Sequence, residues 1–425
     1  MKRKITNYFL DRTSAERTAI LFALEGIILS LMGNIIFNNN NLFATRLGAN
    51  NFQLGLVTSL PQLVGMFVLI PGGIITDRMG NKRKMVISSL VLLAIMYGLI
   101  GFVPLLADYK VVAFLGLLAI SAGPMTLYNA SWQAYFSDVV DEESRNRVFS
   151  MRTKWSFAVG ITVPMITGTL LVSADSIAGK ITLHQVFFWI ATVVIMTQII
   201  ILKRISGGMV QPHLHSEVSN LKHSLVELFK EKRYRNFVGV ALFFYMVWQA
   251  DWTLFYLGQV NYLKFNEQWL SIVIVGGASI QFLSIGFWTR LNERLGIWFS
   301  IILGTLGLSI YPLAMIVSTS VPLSIGKPIF IVLIVVAGFG FTAIPLNILQ
   351  CLLQVIPVKN KTLSISIYTL LITLSNVVMP MVGVLIYTSL GASKSALHTT
   401  FIIVFAARIV AAGLWAMLWR QNKVS

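Results

Sequence analysis

The chain has 425 residues, of which 56% are hydrophobic and 12% charged, whereas about a quarter of the residues of a soluble protein are charged. No compact soluble fold could cover so much apolar surface, so lipid is the expected solvent. The net charge of +17 lies in short basic clusters between long apolar runs, which is typical of membrane orientation and excludes a nucleic-acid-binding tail or face.

Twelve apolar segments are long enough to form membrane spans, because a helix needs about 20 residues to cross roughly 30 Å of hydrocarbon. The polar, basic N-terminus leads directly into the first segment, which predicts that no signal peptide is removed. The predicted spans are 17–38, 53–75, 85–106, 110–136, 150–173, 184–203, 236–258, 269–289, 295–317, 328–353, 362–390 and 396–419.

The basic residues predict the orientation of these spans. With both termini inside, 26 lysines and arginines lie in inner segments and six in outer loops, one in each loop. This asymmetry predicts cytoplasmic termini in a multi-pass protein of the cell membrane. The long hydrophilic stretch 204–235 is either a simple linker or contains a short amphipathic helix at the inner surface.

The two halves of the chain share local patterns at a nearly constant offset. Asp77-Arg78-x-Gly80 recurs as Glu293-Arg294-x-Gly296, and Pro164 recurs as Pro380, both 216 residues later. This offset indicates a duplicated six-helix unit. We therefore expect an N-terminal bundle at 1–203, a central loop at 204–235 and a C-terminal bundle at 236–425.

The segment GGIITDRMGNKRK (residues 72–84) resembles the signature loop of the major facilitator superfamily of secondary transporters. The resemblance implies an all-α membrane protein of twelve helices in two six-helix bundles related by a pseudo-two-fold axis, working by alternating access. The alternative interpretation of this segment is a solvated turn whose charges only set the orientation of the spans in the membrane. The matching residues, taken as a gating motif, are Gly73, Asp77, Arg78, Gly80, Lys82 and Arg83, with Glu293, Arg294 and Gly296 in the weaker second copy.

The fifth predicted span partly resembles a pattern of export-type antiporters. Gly160, Pro164 and Gly168 share one helix face, and Pro380 is the counterpart of Pro164 in the second half. Val163 and Thr167 stand where that pattern has glycines. Ordinary packing of small residues, or a kink, is the alternative role.

Two carboxylates lie within predicted spans, Glu25 in the first and Asp251 in the seventh. A neutral acid is far less costly in a bilayer than an anion, so both are candidates for proton coupling, with neutral packing roles as the alternative. We expect both to be isolated acids, with Asp251 also placed to meet a cationic substrate. Arg408 is the one basic residue deep in a span, and the sequence assigns it no partner.

Aromatic and amide side chains within spans are candidates for lining a substrate cavity. An interfacial aromatic belt is the alternative for the seventh span. The candidates are Trp248, Trp252 and Phe255 in the seventh span, Asn129, Trp132 and Gln133 in the fourth, and Asn347 and Gln350 in the tenth.

The predicted function is secondary transport by a monomer, as proton-coupled export of a small amphipathic or drug-like compound. An uptake permease for a small metabolite is the alternative, and a channel or membrane enzyme is the competing class. Neither a cofactor motif nor a catalytic motif occurs. The single cysteine, Cys351, excludes an intramolecular disulfide and a multi-cysteine metal site, and the five histidines suggest no metal site.

Overall fold

The computed structural model describes residues 14–78, 81–140, 142–205, 228–356 and 361–424. Within these ranges, twelve helices are long and apolar enough to cross a membrane, which confirms the predicted count. The first six spans comprise Ser14–Ile36 with Asn40–Leu47, Asn51–Arg78, Lys82–Ile100, Lys110–Val139, Glu142–Ser173 and Ile177–Arg204. The second six comprise Lys232–Gln249 with Trp252–Leu257, Glu267–Leu295, Ile297–Leu308 with Ile310–Ser320, Leu323–Phe341 with Ala343–Val355, Lys361–Ser389 and Lys394–Val424.

The chain divides into two units, which are described separately. The first unit contains residues 1–49 and 63–215, and the second contains residues 50–62 and 216–425. The predicted amphipathic helix of the central loop, residues 222–237, is partly described: residues 222–227 lie outside the described part of the chain, 228–230 are helical, and the seventh span begins at Lys232. The predicted domain boundaries at 203 and 236 therefore remain predictions.

Aromatic side chains fill the interior of each unit. In the first unit, Phe22 packs edge-on against Trp132 and Phe136, with ring centroids 6.2 and 5.1 Å away. In the second, Phe237 contacts both Trp298 and Trp415. Large apolar side chains also cover the outer surface of the spans, as expected where lipid replaces water.

Three spans of the second unit are interrupted, and prolines account for two of the interruptions. The ninth span, predicted as one helix, breaks at Ser309 three residues before Pro312, and the tenth breaks at Thr342 three residues before Pro345. Proline has no N–H to donate to the carbonyl four residues earlier, so the helical ladder is cut there. The seventh span breaks at Ala250 and Asp251, where no proline is present.

Candidate functional site

Glu25 lies in the first span and is completely buried. Its Oε1 accepts hydrogen bonds from the Tyr128 hydroxyl on the fourth span and from Nε2 of Gln198 on the sixth, the latter at 2.7 Å. Nε2 of Gln198 also donates to the Tyr128 oxygen at 3.1 Å. The three side chains therefore form a closed ring of hydrogen bonds, which satisfies one carboxylate oxygen with neutral donors.

The second oxygen of Glu25 faces a cation. Oε2 accepts from Nε of Arg152 on the fifth span at 3.2 Å, and the Arg152 guanidinium lies 4.1 Å from the centroid of the Trp132 ring. A Cβ atom at Gly26 would lie 2.1 Å from Cγ of Arg152, so glycine is what allows this arginine to pass close to the first span. The Arg152 side chain keeps 15% exposure while its partner has none.

Asp251 lies at the interruption of the seventh span, between Lys232–Gln249 and Trp252–Leu257. A Cβ atom at Gly383 of the eleventh span would lie 1.8 Å from the carbonyl oxygen of Ala250, so the eleventh span packs directly on the main chain of the break. Only glycine permits so close an approach. The break thus has a defined neighbour within its own unit.

Arg408 of the twelfth span is the partner of Asp251. Its Nη2 donates to both carboxylate oxygens, at 2.8 and 2.7 Å, and both side chains are buried. Nη1 donates to the carbonyl oxygen of Leu308 at 2.6 Å, and Nη2 approaches the carbonyl oxygen of Trp248 at 3.4 Å. Leu308 lies four residues before Pro312, so the proline frees this carbonyl for the arginine.

The two ion pairs correct the expectation that Glu25 and Asp251 are isolated acids. A buried carboxylate needs a counter-charge or a proton, and each of these already has an arginine. Because Arg408 neutralises Asp251, the geometry does not leave this carboxylate open to a cationic substrate. The predicted intramembrane acids are therefore two distinct ion-pair sites, one in each unit.

The predicted aromatic residues of the seventh span separate into two groups. Trp248 and Trp252 contact each other edge-on at 5.9 Å, and Trp248 also packs on Phe341 at 5.3 Å. Trp252 is 38% exposed. Phe255 instead joins three aromatic side chains of the ninth, tenth and twelfth spans: Tyr311, Phe330 and Phe401.

The remaining cavity candidates have different surroundings. Trp132 is buried between Phe136, stacked at 5.1 Å, and Arg152, whereas Asn129 and Gln133 are exposed. Asn347 is buried, and its Oδ1 accepts from Nδ2 of Asn292 at 2.7 Å. Gln350 is exposed and donates to a carbonyl of its own helix.

The packing candidates of the fifth span lie within an unbroken helix. Pro164 and Gly168 are buried, and a Cβ atom at Gly160 would lie 3.9 Å from Nδ2 of Asn34 on the first span. Pro380 is likewise buried inside the helix Lys361–Ser389.

The gating motif is only partly described. Gly73, Asp77 and Arg78 belong to the helix Asn51–Arg78, but their side-chain surroundings and the whole of Gly80 lie outside the described part of the structure. Lys82 pairs with Asp138 at 2.9 Å, and Nη1 of Arg83 donates to the carbonyl oxygen of Ile205 at 2.7 Å.

The second copy of the motif ends the eighth span. Gly296 has a φ of 86°, a conformation that favours glycine, and terminates the helix Glu267–Leu295. Glu293 and Arg294 are exposed near the end of that helix.

Tyr128, Gln198 and the pairing role of Arg152 were not among the predicted site residues. In the sequence, Arg152 lies among the basic residues of a predicted inner segment, so nothing there indicated that it pairs with Glu25. Gln198 had a visible signal, because it is a polar side chain in the middle of the apolar segment VVIMTQIII.

Several solved structures share this fold over almost the whole chain. A bacterial homologue of the iron transporter ferroportin covers 96% of this chain and 99% of its own, at 14% identity and a TM-score of 0.73. The nucleoside transporter NupG covers 96% and 99%, at 13% identity and a TM-score of 0.70. A bacterial homologue of the human lysosomal transporter Spinster covers 96% and 98%, at 13% identity and a TM-score of 0.69. The comparison with curated proteins gives no match.

The family assignment comes from the sequence itself. The family profile described as Major Facilitator Superfamily matches residues 19–349, well over half of the chain. Together with the twelve spans and the solved transporters of the same fold, this match indicates a membrane transporter rather than an enzyme. The chain belongs to the Major Facilitator Superfamily.

Proposed function

We propose that this membrane transporter works by alternating access and couples the export of a small amphipathic compound to proton exchange at a buried acid, Glu25 or Asp251. The observation that carries the proposal is the complete burial of Glu25 among partners that can accommodate an anion or a neutral acid. A proton that binds there removes the charge that holds Arg152. Such a change of pairing within a span can bias one transporter conformation over another.

The substrate class in this proposal follows from the aromatic surfaces. Trp248 and Trp252 contact each other edge-on, and Trp252, which is 38% exposed, follows Asp251, whose carboxylate Arg408 has already neutralised. Aromatic contact, rather than a free charge, would therefore dominate recognition, which suits an amphipathic compound. Export is the proposed direction, and accumulation of the compound in the opposite direction would identify an uptake permease.

The proposal places the chain in the cell membrane as a monomer with cytoplasmic termini, because the basic residues concentrate in the predicted inner segments. Its halves would be residues 1–203 and 236–425, joined by the loop 204–235. The signature loop at Gly73–Arg83 would control opening at the inner face.

Transport by purified protein in liposomes tests this function. A pH gradient is imposed, and a panel of fluorescent anionic, neutral and cationic amphipathic compounds is screened for accumulation and for counterflow. We expect the coupling-site variant, Glu25→Gln or Asp251→Asn, to lose gradient-driven accumulation yet keep exchange, because exchange does not require return of the empty carrier. Asp108→Asn, which changes an exposed acid outside the predicted spans, is the matched control.

Three outcomes contradict parts of the proposal. Accumulation at the wild-type level in both acid variants excludes both residues as the proton site. Currents far above carrier turnover indicate a channel. For the signature loop, we expect Asp77→Asn to cripple transport at normal expression, and wild-type rates in that variant would exclude a gating role.

A further inference from the structure

The ring of hydrogen bonds at Glu25 contains one unsatisfied atom. Gln198 is completely buried and donates twice through Nε2, to Glu25 and to Tyr128, while its Oε1 is buried with no hydrogen-bond partner in the described part of the chain. A buried acceptor without a partner is costly, because it has lost its contact with water. The amide therefore sits in an arrangement that favours the ionised acid at the expense of its own oxygen.

Protonation of Glu25 changes its Oε1 from a hydrogen-bond acceptor to a donor, so the ring needs a new acceptor. A proton on Oε1 places an O–H group against the Tyr128 hydroxyl and the Gln198 amide, both of which donate to that oxygen in the present arrangement. A half-turn of the amide about its terminal bond exchanges its NH₂ group for its oxygen. That oxygen has two lone pairs and can accept from both the Glu25 acid and the Tyr128 hydroxyl.

Building on the proposed proton coupling, we propose that Gln198 is a positioning residue that stabilises Glu25 in both protonation states by turning its amide, which changes from donor to acceptor when the proton binds, while the Tyr128 hydroxyl turns from Glu25 to the amide oxygen. The amide donates two hydrogen bonds to the ring in the ionised state and accepts two in the protonated state. Tyr128 and Arg152 are the titratable and charged groups that face Glu25, and Arg152 loses its ionic partner in the second state.

The surroundings of Asp251 contain no comparable amide within the described residues. Both of its oxygens are bound by one guanidinium nitrogen, and no side-chain amide or hydroxyl contacts its carboxylate within the described residues. Protonation there would leave the buried Arg408 guanidinium without a counter-ion, which is strongly unfavourable. We therefore assign the exchanging proton to Glu25 rather than to Asp251.

Infrared titration of the purified full chain in lipid nanodiscs tests this inference without a substrate. The C=O stretching band of a protonated carboxyl group should grow as the pH falls, and it is assigned to Glu25 by its absence in Glu25→Gln. Gln198→Met keeps the length of the side chain but removes its polar atoms. The ionised acid then loses a charge-assisted bond and the protonated acid only a weaker neutral one, so we expect the titration midpoint to move by about one pH unit, a tenfold change in proton affinity, and the band to shift in frequency.

Two further variants complete the design. Tyr128→Phe breaks the same ring at another member and should also move the midpoint, which keeps the test informative if Gln198→Met folds poorly. Gln185→Met is the matched control on the same span, because Gln185 donates to the carbonyl oxygen of Gly101 and forms no hydrogen bond with an acid among the described residues. Its titration should match that of the wild type.

The outcomes separate this inference from the proposed function. A wild-type midpoint and band in both Gln198→Met and Tyr128→Phe overturns the role of the ring. A band that disappears in Asp251→Asn instead of Glu25→Gln overturns the assignment of the proton. Wild-type accumulation by Glu25→Gln in liposomes contradicts the proposed coupling even where the ring behaves as described.

Discussion

The ion pairs of the first and second units stabilise a buried carboxylate with different sets of partners. Oε1 of Glu25 is held by neutral side chains and Oε2 by an arginine that keeps 15% exposure, whereas both oxygens of Asp251 are held by the buried Arg408. Arg408 is also anchored by a main-chain carbonyl that a proline frees. Burial alone therefore does not define the role of an acid, because its partners determine how much the loss of its charge costs.

Removal of Arg408 should produce the largest effect. In Arg408→Leu, Asp251 becomes a buried carboxylate without a partner, and the Leu308 carbonyl loses its donor. We expect the free energy of unfolding to fall by about 3–5 kcal/mol. Thermal unfolding in detergent measures this loss. The double variant Asp251→Leu/Arg408→Leu should recover much of it, and a double variant no more stable than Arg408→Leu would contradict the pairing argument.

The packing at Gly383 gives the next largest effect. Gly383→Ala directs a methyl group at the Ala250 carbonyl oxygen, a main-chain atom that cannot rotate away. Such overpacking costs about 1–3 kcal/mol of unfolding free energy. Gly413→Ala is the control on another span of this unit, because no atom lies within 4 Å of the added Cβ. Equal stability of the two variants would show that the break in the seventh span is not held by this contact.

A methyl group at Gly26 should perturb the first unit less. It would meet the side chain of Arg152, which can adjust more readily than a main-chain carbonyl. We expect Gly26→Ala to cost about 1 kcal/mol, mainly by weakening the charge-assisted bond to Glu25. Unfolding measurements beside Gly33→Ala, whose added Cβ would meet only the Phe37 ring at 3.3 Å, isolate the contribution of Arg152. A cost no larger than that of the control would argue against this contact.

The stacking of Arg152 on Trp132 should give the smallest effect. The ring of Trp132 lies between Phe136 and the guanidinium and also contacts Phe22, so Trp132→Leu removes the cation–π contact and two aromatic pairs. We expect the cation–π contact itself to contribute about 0.5–1 kcal/mol, because Arg152 keeps 15% exposure. The double variant Trp132→Leu/Arg152→Gln completes a thermodynamic cycle, and a coupling energy indistinguishable from zero would exclude the cation–π contribution.

The sequence was sufficient to predict the twelve spans, the family and the two intramembrane acids, because each depends on local composition or on a contiguous motif. The ion-pair partners were not predictable, since Arg152 and Arg408 lie 127 and 157 residues from their acids. Burial and pairing depend on how distant spans pack. Pro312 was visible in the sequence, but its consequence for Arg408 required the structure.

In the proposed mechanism, Glu25 exchanges a proton while Asp251 remains paired with Arg408. Proton uptake by the purified protein in lightly buffered detergent solution, measured as the pH is lowered, tests it most directly. We expect Glu25→Gln to bind one proton fewer than the wild type over the range in which transport depends on pH, and Asp251→Asn to bind the same number as the wild type. The reverse result, with the missing proton in Asp251→Asn, would show that Asp251 and not Glu25 exchanges the proton.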